Sequence, residues 1–208
     1  MLCKNNTMKV TSVYVSPVAD PQNAHVATAS VTIDGVLAVH GVNIIKNSTT
    51  GEMFITFPYK KMANGKNAEI FNHPLNTETR EYLTQMVVDA YERVLSNPDE
   101  QTITFDDEAD FSLSQPKVTP CTWDGPVKAF ASIVLDDGYL LNDMKIVRKM
   151  EAPTDSTDVG DYFVAMPRRK VGDGKVKTIY NPITKEFYAA LRDQVMEEFK
   201  ASILDEAA

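Results

Sequence analysis

Residues 29–45, ASVTIDGVLAVHGVNII, correspond to residues 131–147, ASIVLDDGYLLNDMKIV, over their whole length. A second pair of matching segments follows in the same order, GEMFITFPYKKMANGK from Gly51 and GDYFVAMPRRKVGDGK from Gly160. A single repeat of this length indicates a duplicated domain, because solenoids show several shorter units. The chain is therefore predicted to contain two tandem copies of one small domain.

The first pair of matching segments has the pattern of a β-hairpin. In the first copy Ala29, Val31 and Ile33 alternate with polar residues, which is typical of a strand with one buried face. The dipeptides Asp34-Gly35 and Asp137-Gly138 are of the kind that forms tight hairpin turns. We expect an antiparallel hairpin around each of them.

A further hairpin is predicted between Pro58 and Ile70 and, in the equivalent segment, between Pro167 and Ile179. The first of these segments contains Asn64-Gly65 and the second contains Asp173-Gly174. Both dipeptides readily adopt positive φ at the two central positions of a turn. The same hairpin is thus predicted independently in the two copies.

Each copy is predicted to end in a helix. Pro74 and Pro182 disfavour helical structure just before them. Asn76 or Thr77 in the first copy, and Thr184 in the second, can cap the helix by accepting its first free N–H groups. Apolar residues then recur at helical spacing and are expected to pack against a sheet: Tyr82, Leu83, Met86, Val87, Tyr91 and Val94, and in the second copy Phe187, Leu191, Val195, Phe199 and Ile203.

These elements define an α+β fold with two tandem antiparallel β-sheet domains, each closed by a C-terminal helix. The expected boundaries are residues 8–95 for the first domain, 96–116 for an acidic linker and 117–208 for the second domain. The linker carries six acidic residues and no Lys or Arg: Asp99, Glu100, Asp106, Asp107, Glu108 and Asp110. It is interpreted either as a solvated, flexible spacer or as an acidic strap that docks on a basic surface of its own protein.

The composition of the 208-residue chain, with 43% hydrophobic and 24% charged residues, is typical of a globular protein. No apolar run reaches the roughly 20 residues that cross a bilayer, and the segment MLCKNNTMKV lacks the apolar core of a signal peptide. We therefore expect no membrane association and a cytoplasmic location. Cys3 and Cys121 occupy non-equivalent positions and are expected to be free thiols.

The segment from Phe163 to Lys175, FVAMPRRKVGDGK, followed by Ile179 and Pro182, resembles the stage V sporulation protein G family (SpoVG), the septation regulators of bacteria. The first copy is similar to a more diverged member. Its His73-Pro74 keeps a family pair that is Asn181-Pro182 in the second copy. Family members are usually single-copy proteins that dimerise by joining their sheets. The resemblance implies that this chain is a monomer with an internal pseudo-dimer, that is, a dimer fused into one polypeptide, and a higher oligomer is the alternative.

The same resemblance implies nucleic-acid binding and gene regulation without catalysis. Basic residues cluster around the predicted tips of the second hairpins: Arg168, Arg169, Lys170, Lys175 and Lys177 in the second copy, and Lys60, Lys61 and Lys66 in the first. A basic β-ribbon can neutralise phosphates and fits the major groove of DNA. The first cluster is thinner, since Tyr59 stands where the second copy has Arg168. DNA or RNA is the expected partner, and an ordinary solvated surface is the alternative.

Neither an enzyme nor a metal protein is expected. The three histidines, His25, His40 and His73, lie in the first copy, and none is spaced with Cys or carboxylate residues as metal ligands are. There is no glycine-rich phosphate loop, and no cofactor is expected. Trp123, the single tryptophan, is expected to pack at a strand end, with base stacking as the alternative. The alternative function is that of an adaptor or inhibitor that binds another protein through sheet edges, the acidic linker or the outer helices.

Overall fold

A computed structural model describes residues 8–19, 24–61, 67–105, 110–153, 158–171 and 174–206. For residues 60–61, 67–70, 159 and 204–206 it describes the backbone alone. The first copy contains β1 (Val10–Pro17), β2 (His25–Ile33), β3 (Leu37–Lys46), β4 (Met53–Thr56), β5 (Tyr59–Lys61), β6 (Asn67–Ile70), β7 (Asn72–Pro74) and helix α1 (Thr77–Ser96). Strand β8 (Thr102–Thr104) follows. The second copy contains β9 (Leu113–Pro120), β10 (Val127–Leu135), β11 (Tyr139–Arg148), a short 3-10 helix (Val159–Asp161), β12 (Tyr162–Ala165), β13 (Arg168–Lys170), β14 (Val176–Thr178), β15 (Tyr180–Pro182) and helix α2 (Lys185–Glu206).

Two antiparallel sheets form the body of the protein, and each contains a strand from the other copy. In the first sheet the order is β15-β3-β2-β1-β8, with β4 also paired to β3, and in the second it is β12-β11-β10-β9, with β7 paired to β11. Strand β15 pairs with the first half of β3, where Tyr180 lies opposite Val39. Strand β7 pairs with the first half of β11, where Asn72 lies opposite Leu141. This reciprocal exchange confirms the predicted internal pseudo-dimer.

Helices α1 and α2 cover the inward faces of the two sheets, as predicted. Asn76 caps α1, because its side chain accepts a hydrogen bond from the Thr79 N–H at 2.7 Å. Thr184 precedes α2, and its hydroxyl accepts a hydrogen bond from the Phe187 N–H at 3.2 Å. The apolar stripes are buried in one core that runs through both copies: Leu83, Val87, Ala90 and Val94 from α1, and Phe187, Leu191, Val195 and Phe199 from α2.

The turns of the two equivalent hairpins meet at the pseudo-twofold axis. Asp34 and Asp136 occupy equivalent turn positions, and their buried carboxyl groups interact. In a symmetric dimer a residue on the twofold axis meets its own copy, so this contact places the axis between the turns. Burial, followed by the interaction with Asp136, raises the pKa of Asp34 to about 8. The buried pair therefore favours a protonated carboxyl group at the axis.

The β10–β11 turn differs from the prediction by one residue. The φ angles of Asp136 and Asp137 are +48° and +52°, so these residues, and not Asp137-Gly138, are the central pair of the turn. Gly138 has a packing role instead, because a Cβ atom there would lie 2.7 Å from the Thr79 hydroxyl oxygen on α1. The predicted turn position was wrong because the preference of Asp-Gly for hairpin turns reflects backbone φ alone. It does not consider the contact between position 138 and helix α1.

The second hairpins form two short ribbons, β5–β6 and β13–β14, in the positions predicted for them. Their predicted turn residues Asn64, Gly65 and Asp173 lie outside the described residues. Each ribbon leads directly into the exchanged strand of its copy, β7 or β15. The ribbon of one copy is thereby carried over to the sheet of the other.

The segment 96–116, expected to be a flexible linker, is structured at both ends. Ser96 is the last residue of α1, and β9 begins at Leu113. Between them β8 pairs with the edge strand β1, where Ile103 lies opposite Val13 and is buried. Pairing satisfies the backbone groups that β1 would otherwise expose at the sheet edge. The acidic residues Asp106, Asp107 and Glu108 lie outside the described residues.

No helix in the described part of the chain combines the length and apolarity needed to cross a membrane. Cys121 is a free thiol, and burial raises its pKa above the ordinary value. Cys3 lies outside the described residues.

Candidate functional site

The two faces of the β13–β14 ribbon divide the predicted basic cluster. In the ribbon Arg169 lies directly opposite Lys177, and Arg168 and Lys170 flank Arg169 on its own strand. Successive side chains of a strand point to opposite faces, so Arg169 and Lys177 share one face and Arg168 and Lys170 share the other. Arg168 and Lys170 are exposed, whereas Arg169 is half-buried. Only one face of the ribbon is therefore placed against the rest of the protein.

Arg169 and Lys177 lie over the outward face of the first sheet, which is the face opposite helix α1. They line a groove of about 730 Å³. The polar side chains of its floor come mainly from β1, β2, β3 and β15: Tyr14, Ser16, Thr28, Ser30, His40 and Asn181. The groove is thus composite, because the first copy supplies most of its floor and the second copy supplies both cations.

Gly41 allows the Arg169 guanidinium to reach the floor. Its φ is +73°, and a Cβ atom there would lie 2.8 Å from Arg169 Nη2. The guanidinium carbon would be 3.6 Å from that atom and Pro58 Cγ 3.5 Å from it. A side chain at position 41 would therefore both strain the backbone and displace the guanidinium. Glycine thus occupies the position on β3 that the Arg169 guanidinium of the other copy approaches.

His40 links the floor of the groove to the exchanged strand β15. Its Nδ1 lies 3.0 Å from Ser30 Oγ, and its Nε2 lies 3.0 Å from Asn181 Oδ1. Since Asn181 Nδ2 donates to the Pro182 carbonyl at 3.1 Å, its Oδ1 faces the histidine as an acceptor, and Nε2 carries the proton that is donated to it. The His40 ring is held by hydrogen bonds on both sides, and it fixes the two copies to each other beside the cations.

The floor offers hydrogen-bond donors and no carboxylate. Strands β1, β2, β3, β13 and β14 contain no Asp or Glu. Hydroxyl-bearing residues Ser16, Thr28 and Ser30 instead line the groove together with the two cations. Cations with hydroxyl donors and no competing acid form an environment that suits a phosphodiester. Sequence reasoning missed these floor residues, although the polar positions of alternating strands β1 and β2 were the available signal.

The first ribbon is less basic on the equivalent face. By register Lys60 is equivalent to Arg169, but the residue opposite Lys60 is Ala68, where the second ribbon has Lys177. The position equivalent to Gly41 is occupied by Asp143, which is buried and has a φ of +61°. Backbone atoms alone are described for Lys60 and Lys61, and Lys66 lies outside the described residues.

Lys175 stands apart from the groove. Its carbonyl accepts a hydrogen bond from the Val171 N–H at 2.8 Å, which joins the ends of β13 and β14, and its side chain is exposed. Among the described residues, no three His, Cys, Asp or Glu side chains come together in an arrangement that could hold a metal ion. The groove of Arg169 and Lys177 is the candidate site that the described residues support best.

Comparison with known proteins gives two matches to one family. The family model described as SpoVG matches residues 8–93 and again residues 113–201. A protein of Alkaliphilus oremlandii, provisionally named septation protein SpoVG, is 30% identical over 93 residues, which cover 44% of this chain and 90% of the relative. Proteins with the same provisional name from Lachnospira eligens and Bdellovibrio bacteriovorus are 35% identical over 86 residues and 36% identical over 97 residues. These alignments cover 41% and 47% of this chain, and 93% and 85% of the relatives, so each relative has about the length of one copy.

Proposed function

The chain belongs to the SpoVG family and carries the family domain twice, and from this premise we propose that it is a non-enzymatic regulatory protein that binds DNA or RNA. The proposed contact is between phosphates and the groove of Arg169 and Lys177. The proposal includes gene regulation in the cytoplasm, as expected of a family member that binds nucleic acid.

The observation that carries the proposal is the placement of two cations over a polar floor. Arg169 offers a planar fork of N–H donors, and Lys177 adds a second positive charge on the same face of the ribbon. Because the guanidinium lies against Gly41, part of its conformational freedom is already lost before a ligand binds. A guanidinium that is partly ordered before binding, with an exposed lysine on the same face of the ribbon, supports phosphate binding better than mobile lysines alone do.

The overall charge of −8 does not oppose the proposal. The six acids of segment 96–116 account for most of that charge, and the strands that line the groove carry none. Local potential over a groove depends on the side chains that line it and on those within a Debye length of about 8 Å in physiological salt. The groove is therefore a basic surface on an acidic protein.

The test compares the two faces of one ribbon. Arg169→Ala with Lys177→Ala removes the groove cations, and Arg168→Ala with Lys170→Ala removes the same charge from the opposite face. We expect the first pair to weaken binding of a labelled DNA or RNA about tenfold or more, and to reduce the salt slope by about 0.9 per lost contact on duplex DNA or 0.7 on a single strand. The second pair is expected to have a much smaller effect.

Fluorescence anisotropy over a salt series measures both quantities. Equal losses from the two pairs would show that only net charge matters and that the groove is not the contact surface. If the parent chain binds neither DNA nor RNA even at low salt, the proposal fails, and the protein-binding adaptor becomes the better account.

A further inference from the structure

We infer that the outward face of the second sheet is a base-stacking platform, built around Trp123 and Phe130, that makes this chain bind single-stranded nucleic acid. The inference rests on the proposed function and extends it from phosphate contacts to the bases. It assigns to the second copy a role that the first copy cannot perform.

Two aromatic rings and a lysine form the centre of this surface. Trp123 is 56% exposed, and its ring lies 6.0 Å from that of Phe130, with an angle of 56° between the planes. Lys145 Nζ lies 6.0 Å from the Phe130 ring centre, within range of a cation–π contact. An exposed tryptophan beside a second ring presents more apolar surface than strand-end packing requires.

The strand register places these side chains on the outward face. Ala129 and Ala131 are buried against the core, so Phe130 between them points outward. Phe130 lies opposite Lys145 on β11, and also opposite Thr119 on β9. One row further, Phe163 lies opposite Val147 and is 41% exposed. The rings and the lysine therefore share one continuous surface.

The charge of the second sheet fits a polyanion. Its strands β9 to β12 carry Lys117, Lys128 and Lys145 on the outward face, and their one acid, Asp143, is buried. Arg148 lies opposite the buried Tyr162 and is not part of this face. Lys117 lies opposite Ser132, next to the Phe130 row on the same face. An acidic residue, Asp124, follows Trp123 in the loop at the edge of this surface. Exposed aromatic rings interleaved with lysines combine surfaces that stack on bases with charges that follow a phosphate backbone.

The geometry favours a single strand over a duplex. In a duplex the faces of the bases are already stacked on each other, whereas a single strand can turn its bases onto a flat sheet. An exposed indole contributes little to a surface that contacts only phosphates, whereas it can stack on a base. The first sheet has Thr28 and Asn43 where the second has Phe130 and Lys145, so it lacks the platform. We therefore assign base stacking to the second copy and the groove cations to phosphate contact.

The single tryptophan of the chain provides a direct test. The full chain is titrated with oligo(dT), oligo(U), an oligo(dA)·oligo(dT) duplex and heparin while Trp123 emission is followed. Stacking of a base on the indole is expected to quench the emission with both single strands. The duplex and heparin are expected to leave it nearly unchanged, because heparin has no bases and duplex bases are not free to stack.

Two variants and a matched control locate the contact. Trp123→Ala removes an exposed loop side chain, and Phe130→Thr introduces the residue of the first copy at the equivalent position. Each is expected to weaken binding of labelled oligo(dT) about tenfold by anisotropy, since a stacked base contributes strongly to affinity. Phe54→Ala, at the exposed first-copy position equivalent to Phe163, is expected to change the affinity less than about twofold.

The outcomes separate this inference from the proposed function. If oligo(dT) binds with unchanged Trp123 emission and Trp123→Ala binds as tightly as the parent, the platform is ruled out while nucleic-acid binding stands. Equal affinity for the duplex and the single strand, with no quenching, has the same meaning. If no nucleic acid binds at low salt, the proposed function itself fails, and the inference fails with it.

Discussion

The outward faces of the two sheets carry different kinds of side chain. The first sheet presents hydroxyl groups and receives its cations from the other copy, at Arg169 and Lys177. The second sheet carries its own aromatic rings and cations, at Phe130 and Lys145. A homodimer must present the same face twice, whereas a fused pair can give each face a different part of a ligand. Duplication within one chain therefore permits the two outward faces to differ, which a homodimer of identical single-copy chains does not.

The two strand pairings that join the copies, β7–β11 and β3–β15, also differ from each other; each is called a seam below. At the β7–β11 seam the Tyr139 hydroxyl donates to Asn72 Oδ1 at 2.5 Å, and both side chains are fully buried. At the β3–β15 seam Tyr180 occupies the position of Asn72, and Leu37 occupies that of Tyr139. Two second copies would bring Tyr139 beside Tyr180 at both seams. Each half is therefore complementary to the other half rather than to itself.

The largest expected effect on stability comes from disrupting the contacts at the β7–β11 seam. Tyr139→Ala removes a fully buried ring that also packs edge-on against Phe57 of the first copy, so we expect a loss of about 3–5 kcal/mol in the free energy of unfolding. Tyr59→Ala, at a tyrosine that is 45% exposed, is expected to cost less than about 1 kcal/mol. Urea unfolding measures both variants. If Tyr139→Ala gives two transitions, of which one is unchanged, then the copies fold independently and the shared core does not couple them.

The next effect concerns the carboxyl pair on the pseudo-twofold axis. The folded-state pKa of Asp34, about 8, lies above the ordinary value of 3.8 for an aspartate, so we expect the folded protein to keep a proton that the unfolded chain releases. This contribution to stability is complete below about pH 4, decreases by about 1.4 kcal/mol per pH unit as the pH rises towards 8, and is lost above it. Asp34→Asn keeps an acceptor for the Lys9 N–H and tolerates the positive φ of this position.

We therefore expect Asp34→Asn to be more stable than the parent at pH 7 and similar to it at pH 4. Thermal unfolding across this pH range gives the comparison. A parent and a variant with parallel stability profiles would mean that Asp34 releases its proton as readily in the folded chain as in the unfolded one, and that the contact at the axis does not hold it.

The smallest expected effect separates backbone strain from the groove. Gly41→Ala and Gly51→Ala both place a side chain at positive φ, at +73° and +76°, and each is expected to lose about 1–2 kcal/mol of stability. Only Gly41→Ala also displaces the Arg169 guanidinium, since no atom lies within 4 Å of the added Cβ at Gly51. We expect Gly41→Ala to weaken nucleic-acid binding several-fold and Gly51→Ala to leave it unchanged. Equal binding by both variants would show that the position of Arg169 against the sheet is unimportant.

Much of the fold follows from local signals in the sequence. The hairpins, the caps at Asn76 and Thr184 and the helical stripes depend on residues close together in the chain, and local rules find them. The turn at Asp136-Asp137 was misplaced because Gly138 is required by the Thr79 side chain of the other copy. The joining of the two sheets was predicted only through the family resemblance, and the exchange of β7 and β15 was not predicted, since these strands are too short to be identified by periodicity.

The candidate site was predictable only in part. Arg169 and Lys177 could be named from a basic hairpin, but the division of that hairpin into two faces needs its register. Ser30 and His40 look like ordinary polar residues of a solvated sheet until the ribbon of the other copy is placed over them. Trp123 and Phe130 are separate in sequence and meet only through the path of the β9–β10 loop. The groove depends on long-range relations between the copies, and the aromatic pair depends on the conformation of a loop, so no strand or helix periodicity encodes either of them.

We propose that the two copies bind one nucleic acid through different faces. Ultraviolet cross-linking of the full chain to oligo(dT), with the cross-linked peptides identified by mass spectrometry, tests this proposal. We expect cross-links at Trp123 and Phe130 of the second sheet and at Tyr14 in the groove of the first, with little at Phe54. Cross-links of equal yield at Phe54 and Phe163, or cross-links confined to the helices, would contradict it.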